Sequence, residues 1–273
     1  MLVERSFDTG KVVLNIAEGA KNGPPLLLLH GATMEWQSFS ELLPTLEQDW
    51  HVYALDFRGH GKSGWVPEAY RLDDFVQDTS AVIEHLIGQP VVVMGFSLGA
   101  TISLGVAAQL PHLVRAIVPL DPGLIFRDYE SLISMPGPHQ WVYEFIQWVT
   151  KNVRMAGSLE ALKAANPEFD DSTAREQAAW LQCLDPTMVT TFLPDHGQYD
   201  FEQVMRLIDC PALLIRGDPA LGGVVRDGDL ELFQKLVRRN GSVQISGVGH
   251  GIIWGEPGIE ILRHVKEFSS ILE

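Results

Sequence analysis

Positive charge is scarce in this chain. Its 273 residues hold 20 Lys and Arg against 35 Asp and Glu, a formal net charge of −15. That balance disfavours nucleic acid and anionic membrane as partners, because both need basic surface. Cysteine is almost missing. Cys183 and Cys210 stand far apart without metal-ligand spacing, so no disulfide framework, zinc site or other cofactor is expected. The plain expectation is two reduced, packed thiols in a cytoplasmic protein. No apolar run approaches the length of a membrane span. Glu4 comes too early, and no long apolar stretch follows, for Met1 to Asp8 to read as a secretory signal. Internal repeats and low-complexity tracts are also missing. What remains is a chain that is 46% apolar and 20% charged, suited to one globular core with at most one insertion.

Strand and helix signals alternate through most of the chain. Leu2 to Phe7 and Lys11 to Ile16 read as a hairpin around Asp8-Thr9-Gly10. Pro24 to Leu29, His51 to Asp56, Pro90 to Met94, Val114 to Asp121, Pro211 to Asp218 and Ser242 to Ser246 read as strands. Pro119 is awkward inside a central strand and marks a bulge or a last ladder position. Helices are expected at Phe39 to Leu46, Leu72 to Ile87, Ala100 to Ala108, Asp229 to Arg239 and Ile259 to Leu272. Alternation of this kind predicts an α/β fold, a mostly parallel central sheet with helices on both faces. Ligands then bind beyond the carboxyl ends of the strands. His30, Ser97, Asp121, Asp218 and His250 all fall at such ends.

The most informative segment is Gly95-Phe96-Ser97-Leu98-Gly99, set between a strand and a helix. A serine there sits at the tip of a sharp turn with its hydroxyl exposed. Side chains on both flanks would collide with the neighbouring strand and helix, hence the glycines. The Leu98 amide then opens a helix, where a developing oxyanion is stabilised. A weakly nucleophilic hydroxyl needs a base, and His250 suits the part because imidazole titrates near neutral pH.

Four motifs in order give the chain its resemblance to the α/β-hydrolase superfamily. They are His30-Gly31, the turn Asp56-Phe57-Arg58-Gly59-His60-Gly61-Lys62-Ser63, the elbow at Gly95 to Gly99, and Gly249-His250 with Pro257 beyond it. The resemblance covers nearly the whole length and is least specific in the middle. It implies Ser97 as nucleophile, His250 as base and then acid, and the Ala32 and Leu98 amides as the oxyanion hole. His30 is expected to hold the oxyanion loop and His60 to satisfy backbone groups.

The third member is where the chain departs from the family pattern. The family commonly places an aspartate three residues past the glycine after a late strand, and here that position is Ala220. Two carboxylates remain. Asp218 lies near the usual place, and Asp121 ends the preceding strand, where some branches supply the acid. Asp121 is preferred, because Asp218 precedes a proline and can simply cap the turn. Asp227 and Asp229 read as loop and N-cap residues.

Alternation stops from Gly123 to about Ile208. Helical pieces at Gln140 to Asn152, Ser158 to Ala165, Thr173 to Cys183 and Asp200 to Leu207 carry Trp141, Trp148 and Trp180. The expected organisation is a hydrolase core at 1–123 and 209–273 with a helical cap at 124–208. Trp36, Phe96, Trp141 and Trp254 are the expected pocket residues, with Phe145, Trp148, Trp180, Phe192, Met135 and Met155 as further apolar candidates. The resulting expectation is a cofactor-free serine hydrolase whose partner is a small, moderately apolar ester, thioester or lactone. A carbon–carbon bond hydrolase or lyase on the same fold, and a capped small-molecule receptor with little turnover, are the alternatives. Oligomeric state is not legible.

Overall fold

The computed structural model describes residues 2–123, 140–191 and 199–272. An eight-stranded sheet runs through the molecule in the order β1-β2-β4-β3-β5-β6-β7-β8. β1 (Val3–Asp8) and β2 (Val13–Glu18) form the expected hairpin, and β2 meets β4 (His51–Leu55) antiparallel. β3 (Pro25–Leu29), β5 (Val91–Phe96), β6 (Val114–Leu120), β7 (Ala212–Arg216) and β8 (Asn240–Gln244) continue it in parallel.

The parallel strands are apolar on both faces because both faces are covered. Leu27, Leu29, Val91 and Val93 point into one core cluster. Leu26, Leu28, Val92 and Met94 point into the other. This period-two partition explains why runs such as Leu26 to Leu29 show no polar alternation.

Among the described residues, α1 (Leu43–Asp49), α2 (Leu72–Ala81), α3 (Leu98–Gln109), α4 (Gln140–Asn152), α5 (Leu159–Ala165), α6 (Asp171–Gln182), α7 (Phe201–Leu207), α8 (Asp227–Leu236) and α9 (Gly255–Ser270) follow in chain order. α3 is buried from Leu98 to Ala107, as a helix apolar all round must be. α4 to α7 lie between β6 and β7 in the chain. α4 to α6 bring Val149, Leu162 and Leu181 into the first core cluster, and α7 packs on α3 and α8 through buried Phe201 and Met205.

Several local expectations shift. The helix expected over Phe39 to Leu46 resolves into a 3₁₀ turn at Trp36–Phe39 and α1, whose first turn contains Pro44. Pro suits that position, where the missing N–H has no helical acceptor anyway. α2 passes into a π-helical stretch at Val82–Ile87 that ends on Gly88 at φ +63°. α8 starts two residues earlier than expected. Asp229 is therefore its N3 residue, accepting the Arg226 N–H at 3.1 Å, and Asp227 is its first helical residue.

Pro119 sits in register opposite Gly95, and the irregularity between β5 and β6 lies at Val91/Val92 instead. The effect of the proline falls on the other neighbour. Ile117 and Asp121 donate to Pro211 and Ile215 across the β6–β7 seam. Pro119, between them, has no N–H for its rung, and the ladder is interrupted there.

No helix among the described residues is long and apolar enough to cross a membrane.

Candidate functional site

Ser97 follows β5 and sits at φ +54°, ψ −112°, a backbone conformation that costs a non-glycine residue about 1–3 kcal/mol. Two close approaches hold it there. A Cβ on Gly95 would lie 2.1 Å from the Gly99 carbonyl oxygen, and one on Gly99 would lie 2.0 Å from that of Leu29. Neither position admits a side chain, so both glycines are required by the packing of β5, β3 and α3.

His250 comes from the loop after β8. Its Nε2 is 2.9 Å from Ser97 Oγ, and its Nδ1 is 2.7 Å from Asp121 Oδ2. The ring packs against two aromatic side chains, with Phe96 stacked at 4.8 Å between centroids and Trp141 tilted at 5.3 Å. Trp141 reaches this place from α4 and donates its indole N–H to the Gly222 carbonyl at 3.1 Å.

Asp121 follows β6 at φ +47° and is fully buried. Isolated in a core, a carboxylate would be costly. Here the loop after β7 turns its amides inward. Val224 donates to Oδ2 at 2.9 Å, Val225 to Oδ1 at 3.2 Å, and Gly217 to Oδ1 at a long 3.4 Å. The segment in which the family usually carries its acid therefore supplies donors to an acid from the strand beside it. Asp218 points elsewhere and accepts the Ala220 N–H at 2.9 Å as the cap of a 3₁₀ turn. Close backbone contact locks the two loops together, since a Cβ on Gly217 would meet the Gly249 carbonyl oxygen at 2.0 Å.

Ala32 follows β3, and Leu98 opens α3. Both line the cavity that holds Ser97 and His250. As the first helical residue, Leu98 has no helical acceptor for its N–H. Among the described residues neither amide donates to another protein group. A half-buried serine hydroxyl next to an imidazole, with two free amides lining the same cavity, can pass a proton and offers a place for a developing negative charge.

The cavity measures about 480 Å³. Of the expected pocket residues, Phe96, Trp141 and Trp254 line it, and so does Phe145. Trp36 does not. Its indole N–H donates to Glu4 Oε1 at 2.9 Å, and the ring packs against the second core cluster. Met34, two residues earlier, takes the wall position instead. Trp148 and Trp180 also stay out of it, stacked on each other at 5.9 Å and 13°. Met155 lies in a 3₁₀ turn away from the cavity, while Met135 and Phe192 fall outside the described residues.

Sequence reading missed the aliphatic wall. Val142, Ile146 and Val149 line the cavity from α4, and Met188, Val189, Leu221 and Val224 add to it. The spacing of Val142, Phe145, Ile146 and Val149 marks one helix face, but periodicity does not say what that face meets. Neither cysteine competes as a nucleophile. Burial pushes the Cys210 thiol up to about 11 and also raises that of the half-buried Cys183.

The model of the alpha/beta hydrolase fold family matches residues 24–193, more than half of the chain. The chain belongs to this family. Over 119 residues it is 34% identical to 2-(acetamidomethylene)succinate hydrolase of Mesorhizobium japonicum, covering 44% of this chain and 42% of that protein. A serine hydrolase-like protein of Danio rerio is 34% identical over 166 residues, 57% of this chain and 50% of that one. The chain thus spans half or less of these curated relatives. N-formylmaleamate deformylase of Pseudomonas putida is 26% identical over 86% of this chain and 84% of its own. Among solved structures, an E-2-(acetamidomethylene)succinate hydrolase superposes with a TM-score of 0.72 at 22% identity, covering 99% of this chain and all of the other. An esterase from Thermogutta terrifontis reaches 0.72 at 18% identity, covering 100% and 99%.

In this hydrolase-fold chain the turn after β4 anchors the loop that carries Ala32. Asp56 accepts from the Trp36 amide at 2.7 Å, from Asn15 Nδ2 at 2.9 Å and from the Lys62 amide at 3.1 Å. Arg58 is buried and grips both Asp78 oxygens at 2.6 and 2.7 Å. Two histidines complete the anchor, as expected. His30 donates from Nδ1 to the Gly31 carbonyl at 2.7 Å and accepts the Phe57 N–H on Nε2 at 3.0 Å. His60 donates to Arg58 O at 2.8 Å and accepts the Thr33 N–H at 3.1 Å. Only a neutral ring can donate and accept in this way, and the tautomers follow from the partners.

Burial pushes His30 down to about 4 and His60 down to about 3. Their pKa values are depressed on folding, so above about 6.5 both states are neutral. As pH falls from about 6.5 towards 4, the unfolded chain binds protons that the native rings refuse, and stability is lost. Asp56 and Asp78, raised by burial, act in the opposite sense. The expected net result is a fall in the urea midpoint between pH 6.5 and pH 5, where the histidine windows already act. A pH series of urea titrations checks the sign, and a flat or rising midpoint contradicts it.

Proposed function

We propose that this protein is a serine hydrolase that cleaves a small, moderately apolar ester, thioester or lactone through an acyl-enzyme on Ser97. The observation that carries this reading is the chain Asp121–His250–Ser97, with hydrogen bonds of 2.7 and 2.9 Å, at the wall of an apolar cavity. His250 Nε2 takes the hydroxyl proton as Ser97 Oγ attacks the substrate carbonyl. The carbonyl oxygen gains negative charge and is held by the Ala32 and Leu98 amides. His250 then returns the proton to the leaving group, and the carbon–oxygen or carbon–sulfur bond breaks. Water enters by the same base and releases the acid. Asp121 keeps the imidazole in the tautomer that leaves Nε2 free to accept. The reading needs no cofactor. The inserted helices serve as a cap, with Trp141 over the base.

The relatives' names support hydrolysis and leave the substrate open. One is a succinate-derivative hydrolase, another a maleamate deformylase, and a structural neighbour is an esterase. The test is a fluorophosphonate probe together with short- and medium-chain p-nitrophenyl esters. Covalent labelling at Ser97 with ester turnover is the expected result. A protein that neither labels nor turns over moves the binding-protein reading to the front.

A further inference from the structure

We infer that the cavity selects acyl groups without charge and turns away those whose chain carries a carboxylate. This deepens the hydrolase reading and rests on it for the position of the carbonyl beside Ser97.

The argument is one of charge and desolvation. Among the described residues, no Lys or Arg lines the cavity. Its polar side chains are Ser97, His250, Thr33 and Thr101. Ser97 and His250 are engaged with each other and with Asp121. The Thr101 hydroxyl donates to the Ser97 carbonyl at 3.3 Å. The Thr33 hydroxyl has no partner, yet a lone hydroxyl is no counter-ion for a carboxylate. The remaining walls are aliphatic and aromatic.

Among the described residues, the fixed charges beside the cavity have the wrong sign for an anion. Asp121 stands behind His250, fully buried and matched by backbone amides rather than by a cation. A second cavity shares the walls Thr33 and Met34 and adds Glu35 and Glu176. A substrate carboxylate entering here would give up water and find no ion pair among the described residues, which is strongly unfavourable. An alkyl or ring substituent meets the opposite situation. Phe145, Leu221 and Trp254 line the cavity and remain 36%, 55% and 39% exposed. They form an apolar rim over which an uncharged chain can extend while burying their surface.

The test pairs two esters with the same leaving group and similar acyl length, p-nitrophenyl pentanoate and mono-p-nitrophenyl glutarate. At pH 7.5 the pentanoate is expected to show a kcat/KM about 10²-fold or more above that of the glutarate monoester. Equal values, or a preference for the glutarate, overturn the inference. The same pair, freshly dissolved, is titrated against the Ser97→Ala protein, which lacks the nucleophile, with quenching of tryptophan fluorescence read before the esters hydrolyse. Tighter binding of the pentanoate supports the inference even if the wild type proves unable to turn over. Equal binding, tighter binding of the glutarate, or no detectable binding of the pentanoate overturns it. A failure of turnover and labelling in the wild type counts against the hydrolase reading alone.

Discussion

Ser97→Ala is expected to lower kcat on p-nitrophenyl esters by about 10⁶-fold, to the residual rate that the oxyanion amides and binding alone sustain. The size follows from the geometry. One hydroxyl oxygen, 2.9 Å from the only imidazole that lines the cavity among the described residues, would carry the acyl group. Neither cysteine is placed to substitute for it, since burial holds both thiols up and away from the thiolate form. Folding should survive the change. Alanine keeps the volume near that of serine and suffers the same strain at φ +54°. The thermal midpoint should therefore stay close to that of the wild type, and steady-state kinetics beside a melting curve checks both statements. Adding Asp121→Asn to Ser97→Ala should cost little more, because members of one proton-transfer chain are not additive. A Ser97→Ala protein within tenfold of wild type would remove the acyl-enzyme from the mechanism.

Asp121→Asn is expected to lower kcat by about 10⁴-fold, while Asp218→Asn stays within a few-fold of the wild type. The amide of an asparagine at position 121 would donate to His250 Nδ1. The ring proton would then sit on Nε2, facing Ser97, where the base must accept. The carboxamide oxygen, at the Oδ1 position, can still accept from the Val225 amide, while the Val224 amide loses its acceptor on Oδ2, so the loop after β7 keeps part of its support. Asp218, by contrast, holds only the Ala220 amide of its own turn. Asparagine keeps a side-chain oxygen that can cap the same turn, and the change leaves the imidazole alone. Kinetics on both variants separates the two carboxylates. If Asp218→Asn were the crippled enzyme, the hydrogen bonds of Asp121 would be structural only.

The acid shows how far the chain can be read in one dimension. Both aspartates stand at strand ends, and local pattern favours Asp121 only through the turn chemistry of Asp218-Pro219. The decision comes from packing. β6 and β7 are neighbours in the sheet, so an acid at the end of either falls near the same histidine. Which one reaches it depends on where the loop after β7 turns its amides, and three of them converge on Asp121. The walls of the cavity follow the same logic. Trp36 and Met34 are two residues apart in a loop, and nothing local distinguishes their directions. Tertiary contact does, giving Trp36 to Glu4 and Met34 to the cavity.

Short-range physics determined the rest from the sequence by itself. Continuous apolar runs dictated strands covered on two faces. Glycines at 95 and 99 dictated the turn that exposes Ser97, because no Cβ fits either place. The alternation of strand and helix put His30, Ser97, Asp121 and His250 at one edge of one sheet. Each of these rests on sterics or periodicity within a few residues, so each is written in the chain. Only the tertiary structure brought Asp121 rather than Asp218 to His250, placed Trp141 against its ring and left the cavity without a cation among the described residues. Those outcomes depend on which distant segments meet, and a linear pattern carries no record of the direction a side chain takes when they do.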